Sequence, residues 1–192
     1  MTGISDRVRI EDDTVLSANH YTLHKVTFSW RRSDGNWQRM ARESYDRGDG
    51  CAILLYNLAR RSVVLTRQFR LPAYMNGYRD MLIEAAAGLL DAADPAARIR
   101  AEAKEETGYT PRNLAKVFEV FMSPGAVTEK LHLYVGEFDA RSGAGGGLAE
   151  EGEDIEVEEL GFDDAMAMVT DGRICDAKTI LLLQHAALNI FG

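Results

Sequence analysis

The chain has 192 residues, 46% of them apolar, with 22 basic and 30 acidic side chains and a formal net charge of −8. That is enough for one well-buried domain with room for a short appended element. The acidic balance excludes a phosphate-backbone binder, which needs surplus Lys and Arg, but leaves room for a small phosphorylated ligand bridged by a divalent cation.

The first ten residues, "MTGISDRVRI", contain no apolar h-region, and no 18-residue apolar run follows. A soluble cytoplasmic protein without signal peptide or membrane span is the expectation. Residues 21–32, "YTLHKVTFSWRR", alternate and carry many aromatic and β-branched side chains. They lead through Ser33-Asp34-Gly35-Asn36 into "WQRMARESYDRG", a β-hairpin pattern. "CAILLYN" and "SVVLTRQFR" read as two strands joined by a polar turn at 58–61. Cys51 and Cys175 are the only cysteines and lie far apart, so no disulfide framework is expected.

"DMLIEAAAG" (80–88) reads as one further strand. Asp94 suits a helix N-cap and Pro95 its first turn. That helix runs to Thr107, with Ala96, Ile99 and Ala103 on its packing face and Gly108 as C-cap. "LAKVFEVFM" and "LHLYVGEFD" are strands flanking the loop "SPGAVTEK". "RSGAGGGLAEEGED" (141–154) is glycine-rich and acidic, and is expected to be mobile. "IEVEELG" is a last strand, and 162–171 and 177–190 read as helices. The pattern is one α+β domain preceded by a hairpin.

Glu102, Glu105 and Glu106 stand in the last turns before Gly108, where the helix terminus already carries partial negative charge. Four residues at about 100° each bring Glu106 to within roughly 40° of Glu102, beside the Ala96/Ile99/Ala103 seam. A solvated acidic face is the plain alternative. Partly buried, mutually repelling carboxylates break a local rule, and such breaks concentrate at functional sites. A hard divalent cation such as Mg²⁺ would relieve the repulsion.

"EAKEETGY" (102–109), preceded by "GLLDAAD" (88–94), resembles the Nudix box, G-x5-E-x7-R-E-U-x-E-E-x-G-U with U aliphatic. Gly88 takes the place of the box glycine and Asp94 the acidic place. The spacing is one residue short, and Ala101 stands where the family has arginine, with Arg98 and Arg100 as nearby substitutes. "LSANHYTLHKVTF", "RESYDRGDG", "AILLYN", "VVLTRQFR", "FMSPGAVTE", "EDIEV" and "DAKTILLL" extend the resemblance over nearly the whole chain. Together they are similar to the GDP-mannose pyrophosphatase branch of the Nudix hydrolases, which sits close to the ADP-ribose pyrophosphatases.

The resemblance implies a Nudix-type α/β/α sandwich with a mixed sheet (48–192) and an N-terminal antiparallel β-hairpin subdomain (1–47) that serves dimerisation. It implies Mg²⁺ held by the Ala87 carbonyl, Glu102, Glu106 and Glu153, with Glu105 as supporting ligand or base and Glu150 or Glu151 as loop base. Arg70, Ala87, Gly88, Leu89, Glu129 and Lys178 would contact substrate. His20 and the Ala41-Arg42-Glu43 stretch would reach a partner's site in a homodimer, His20 departing from the tyrosine of relatives. His24, His132 and His185 have strand or helix contexts and read as structural, and no nucleophilic triad is apparent. The implied activity is Mg²⁺-dependent hydrolysis of a nucleoside diphosphate sugar, GDP-mannose to GMP and mannose 1-phosphate. An ADP-ribose or other ADP-sugar pyrophosphatase, a catalytically weak Nudix-fold nucleotide-sugar binding protein and an acidic structural module are the alternatives. No nucleic-acid or membrane partner is expected.

Overall fold

Strands β1 (Val8–Ala18), β2 (Thr22–Arg31) and β3 (Trp37–Asp46) form an antiparallel sheet in that order in the computed structural model, which describes residues 3–90 and 94–192 apart from the Glu151 side chain. The predicted hairpin, β2 with β3, therefore has a third strand. Its register against β2 shifts between Ile10 and Asp12 and again between Val15 and Ser17. Each bulge breaks the two-residue period, so β1 shows no alternation in sequence. The 123–129 loop joins this unit: Tyr45 N–H donates to the Ala126 carbonyl (2.8 Å) and Thr128 N–H to the Tyr45 carbonyl (3.1 Å). None of the three strands has a buried residue.

The second unit, 49–122 with 130–192, is built on a mixed sheet. It comprises β4 (Gly50–Asn57), β5 (Ser62–Gln68), β6 (Leu82–Glu84), β7 (Ala86–Leu89), β8 (Arg112–Phe121), β9 (Lys130–Glu137) and β10 (Glu156–Gly161). The main path is β10-β5-β4-β9-β8, with β6 on β5 and β7 on β4; β4 and β9 are parallel, the other pairs antiparallel. β4 is central and its side chains alternate between two cores, as a strand covered on both faces requires. Ala52, Leu54 and Tyr56 pack with α3 (Phe162–Thr170) and α4 (Ala177–Asn189) through Phe162, Ala165, Leu182 and Leu183. Cys51, Ile53 and Leu55 pack with Ile99 and Ala103 around α2 (Pro95–Glu102). This is the α/β/α layering. A short helix, α1 (Leu71–Met75), follows β5 and was not legible in sequence.

Two predicted elements divide. "DMLIEAAAG" is two strands rather than one, because the chain leaves β5 and crosses to β4 at Ala85, whose N–H donates to Thr179 Oγ1 (2.7 Å) instead of to the sheet. The helix capped by Asp94, whose carboxylate accepts from Ala97 N–H (2.9 Å), ends as α-helix at Glu102 and continues as one π turn, Ala103–Thr107, before Gly108 at φ +76°. Such wide turns recur at functional sites.

Candidate active site

The π turn and β7 face each other across the carboxylates. Glu106 is 2% exposed, and one of its oxygens accepts from Ala87 N–H at 3.1 Å. Glu102, also buried, lies against Gly88: a Cβ there would sit 1.8 Å from Glu102 Oε1 and would displace the Glu102 carboxylate from this position. Burial, then the Glu102 charge, pushes the Glu106 carboxyl up to about 8; Glu153 adds to this, while the Ala87 N–H and Arg70 oppose it. Glu102, Glu106 and Glu153 therefore share one field.

Of the two arginines near Ala101, Arg98 is the one that reaches the carboxylates. One helical turn before Glu102, its guanidinium pairs with the Glu102 carboxylate, lies 3.9 Å from Glu105 and donates to the Leu89 carbonyl (3.3 Å). Arg100, the other substitute, turns away and donates to the Pro111 carbonyl (2.9 Å).

The glycine-rich segment is engaged rather than loose. Gly146 N–H donates to the Glu106 carbonyl (2.7 Å) and Gly147 N–H to that of Glu105 (3.2 Å), while Ser142 and Gly143 N–H both donate to Gly108 (2.8 and 2.9 Å). These amides satisfy carbonyls that a helix end leaves orphaned and offset its negative pole. Positive φ at Gly145, Gly146 and Gly147 makes the approach, and a Cβ on Gly145 would meet the Thr107 backbone at 2.6 Å. Glu153 is held in the same segment, accepting from Leu148 N–H at 2.9 Å. Glu150 is exposed, Glu105 half-buried, and the predicted role of the Glu151 side chain lies outside the described residues.

The two predicted substrate cations meet at a residue that the sequence reading missed. Glu84, 2% exposed at the end of β6, accepts from Arg70 Nε (2.6 Å), Arg70 Nη2 (3.3 Å) and Lys178 Nζ (2.5 Å). Lys178 also pairs with Asp176 (3.1 Å), the N-cap of α4. Lys178 is thus not the solvated helix-start lysine it resembles. A lone acid inside the apolar run "LIEAAAG" was the available signal, since a buried charge needs partners.

In the N-terminal unit His20 is exposed and packs against Tyr21 with ring centroids 4.3 Å apart and planes tilted by 57°. Ala41, Arg42 and Glu43 lie exposed on β3 opposite Thr27, Val26 and Lys25, and Glu129 pairs with Arg47 (3.4 Å). The structural reading of His24 rests on its 2.8 Å contact with Asp13, and that of His185 on its edge packing with Phe118.

Hard carboxylate oxygens that repel one another in a buried place fit a divalent cation. The predicted ligands are not gathered into a ready set, however: among the described residues no three His, Cys, Asp or Glu side chains form one. Glu106 and Glu153 are turned to backbone amides and Glu102 to Arg98, so binding requires their rotation.

Residues 7–45 match a family described as the GDP-mannose pyrophosphatase NudK N-terminal domain. The chain is 52% identical over 189 residues to the GDP-mannose pyrophosphatase of Pectobacterium atrosepticum, covering 97% of each chain. It is 50% identical over 187 residues to that of Cronobacter sakazakii, covering 97% of this chain and 98% of the other. The crystal structure of an ADP compounds hydrolase superposes with a TM-score of 0.74 at 17% identity, covering 95% of this chain and 93% of that one, a likeness of fold. With half its residues shared along nearly its full length, the chain belongs to the GDP-mannose pyrophosphatase branch of the Nudix hydrolases.

Proposed function

We propose that the protein hydrolyses the pyrophosphate bond of a nucleoside diphosphate sugar, GDP-mannose giving GMP and mannose 1-phosphate. The observation that carries this reading is the buried Glu106 carboxylate beside Glu102 and the Ala87 amide, in a chain about half identical to GDP-mannose pyrophosphatases along nearly its full length. The proposed Mg²⁺ ligands are the Ala87 carbonyl and the carboxylates of Glu102, Glu106 and Glu153. When bound, Mg²⁺ supplies positive charge against the phosphates and acidifies water.

The protein's own groups do the rest. Arg70 presents a guanidinium to paired phosphate oxygens, and Lys178 adds a second positive charge. Water attacks one phosphorus: a new P–O bond forms, the bridging P–O bond breaks, and its electron pair leaves with the departing phosphate. Glu105, half-buried, and Glu150, exposed, are the proposed bases for the proton of that water. Arg98 holds Glu102 and limits its swing.

We further propose a cytoplasmic homodimer in which the N-terminal unit (1–47 in the sequence division) serves dimerisation, and in which His20, Ala41, Arg42, Glu43 and Glu129 contribute substrate contacts. A panel of GDP-mannose, ADP-ribose and other nucleotide sugars, with and without Mg²⁺ and scored by product chromatography, tests the assignment. GMP and mannose 1-phosphate formed only with Mg²⁺ are expected. Faster turnover of ADP-ribose than of GDP-mannose would transfer the substrate assignment, and no Mg²⁺-dependent product from any nucleotide would end it.

A further inference from the structure

Glu84 is buried, and Arg70 and Lys178 both bond to its carboxylate. Its side chain is 3% exposed, whereas that of Arg70 is 41% exposed and that of Lys178 12%. One carboxylate oxygen accepts Arg70 Nε at 2.6 Å; the other accepts Lys178 Nζ at 2.5 Å and Arg70 Nη2 at 3.3 Å. Two cations from different elements, Arg70 at the N-cap of α1 and Lys178 in the first turn of α4, are thus drawn to one buried anion. Without it their mutual repulsion would separate them.

The anion is itself fixed. Next to it, Ala85 N–H donates to Thr179 Oγ1 (2.7 Å), the Thr179 hydroxyl donates to Asp176 (2.6 Å), and Asp176 pairs with Lys178 (3.1 Å). The ring closes from β6 through α4 and back to Glu84. On the other side, the Glu84 carbonyl accepts from the buried Thr66 hydroxyl on β5 (3.1 Å). Three elements therefore meet at residues 84–85, two positions before Ala87.

We propose that Glu84 is a positioning residue for diphosphate binding: it holds Arg70 and Lys178 as a paired clamp for phosphate oxygens and itself contacts neither substrate nor metal. Arg70 keeps donor capacity beyond its bonds to Glu84 and is the more exposed of the two, so it faces the ligand while Glu84 sets its direction. The inference rests on the reading of the site as one for a nucleoside diphosphate.

The test compares Glu84→Gln, Glu84→Asp, Arg70→Ala and the double variant Arg70→Ala/Glu84→Gln in the full chain. Inorganic pyrophosphate with Mg²⁺ is titrated by calorimetry, and Mn²⁺ alone is titrated by electron paramagnetic resonance. Glu84→Gln should weaken pyrophosphate at least tenfold and leave Mn²⁺ affinity within twofold. The double variant should lose less affinity than the two single losses combined, because Glu84 acts in part through Arg70, the remaining loss reporting its hold on Lys178. Glu84→Asp keeps the buried charge and guards against loss of fold, while one methylene less prevents it from reaching both cations; an intermediate loss is expected. With GDP-mannose, KM should rise more than kcat falls, which general loosening would not produce.

Unchanged pyrophosphate affinity in folded Glu84→Gln, or in Glu84→Asp should the former not fold, would overturn the inference. So would a loss of Mn²⁺ affinity as large as the loss of pyrophosphate affinity. Wild-type protein that leaves GDP-mannose intact, with the pyrophosphate pattern as expected, would sink the substrate assignment and leave the role of Glu84 standing.

Discussion

Arg98 closes on the carboxylate of Glu102 from one turn earlier in α2, three positions before the Ala101 that stands where the box has arginine. An i,i+4 pair brings the two side chains to the same face, and the guanidinium still reaches the Leu89 carbonyl on β7. Helix and strand are thereby tied on either side of the carboxylates.

Arg98→Ala should lower kcat/KM with Mg²⁺ by about 10- to 100-fold, the usual effect of removing a group that orients a ligand. Arg100→Ala, which among the described residues loses a bond to the Pro111 carbonyl, should change kcat/KM by less than about twofold, a difference below 1 kcal/mol. Steady-state kinetics on both variants decides the matter. Equal losses would mean that the departure at Ala101 is compensated elsewhere.

Glu106 makes the stability of the metal-free protein depend on pH. Its carboxyl is raised from an ordinary 4.5 to about 8, chiefly by burial and then by Glu102, so the folded state binds this proton more tightly than the unfolded state. Its contribution is fully present below about pH 4.5 and is lost as pH rises toward 8, on the order of a few kcal/mol. In EDTA, urea unfolding should show stability falling over that window, and Glu106→Gln should flatten the fall. Mg²⁺ binding near pH 7 should release protons, seen as a dependence of the calorimetric heat on buffer. The same variant should lose at least about 100-fold in kcat. A flat wild-type profile from pH 5 to 8 would contradict the burial argument.

What sequence made legible was local chemistry. Asp94, Pro95 and Gly108 bracket the helix because cap and C-cap preferences act within a few residues. The carboxylates stood out because they violate the helix pole. What escaped depended on distant partners. Glu84 is an ordinary strand-end acid until Arg70 and Lys178, 14 and 94 positions away, arrive beside it. The glycine run reads as slack until its amides find the carbonyls of Glu105 and Glu106. β1 escaped because its two bulges erase the pattern by which strands are read.

Assembly can be tested on β1, where Ile10, Val15 and Leu16 are 63%, 53% and 47% exposed in a sheet without a buried residue. A three-stranded sheet needs a covered apolar face for its stability. Light scattering at micromolar concentration should give a dimer mass, and Val15→Glu should shift it toward monomer. A fully active wild-type monomer would rule out a shared assembly.

The glycine-rich segment offers a matched pair of substitutions. Gly147 and Gly152 both have φ +77°, so alanine at either position carries the same left-handed strain, about 1–2 kcal/mol. Their surroundings differ. A Cβ on Gly147 would lie 2.5 Å from Glu153 Oε2 and 2.8 Å from Glu153 Cβ, whereas a Cβ on Gly152 would meet no described atom within 4 Å. Gly152→Ala should therefore lower thermal stability modestly and leave Mg²⁺ dependence unchanged. Gly147→Ala should lose more stability than Gly152→Ala, because close contacts add to the same strain, and should push Glu153 from its bond to Leu148 N–H, away from the field it shares with Glu106. The Mg²⁺ concentration for half-maximal turnover should then rise by about tenfold, in the range seen when a ligand's support is removed. Mn²⁺ binding without substrate should weaken in parallel, which separates loss of the ligand from a defect in substrate binding. If both variants shifted Mg²⁺ dependence equally, backbone strain alone would explain the effect, and the segment would have no part in placing Glu153.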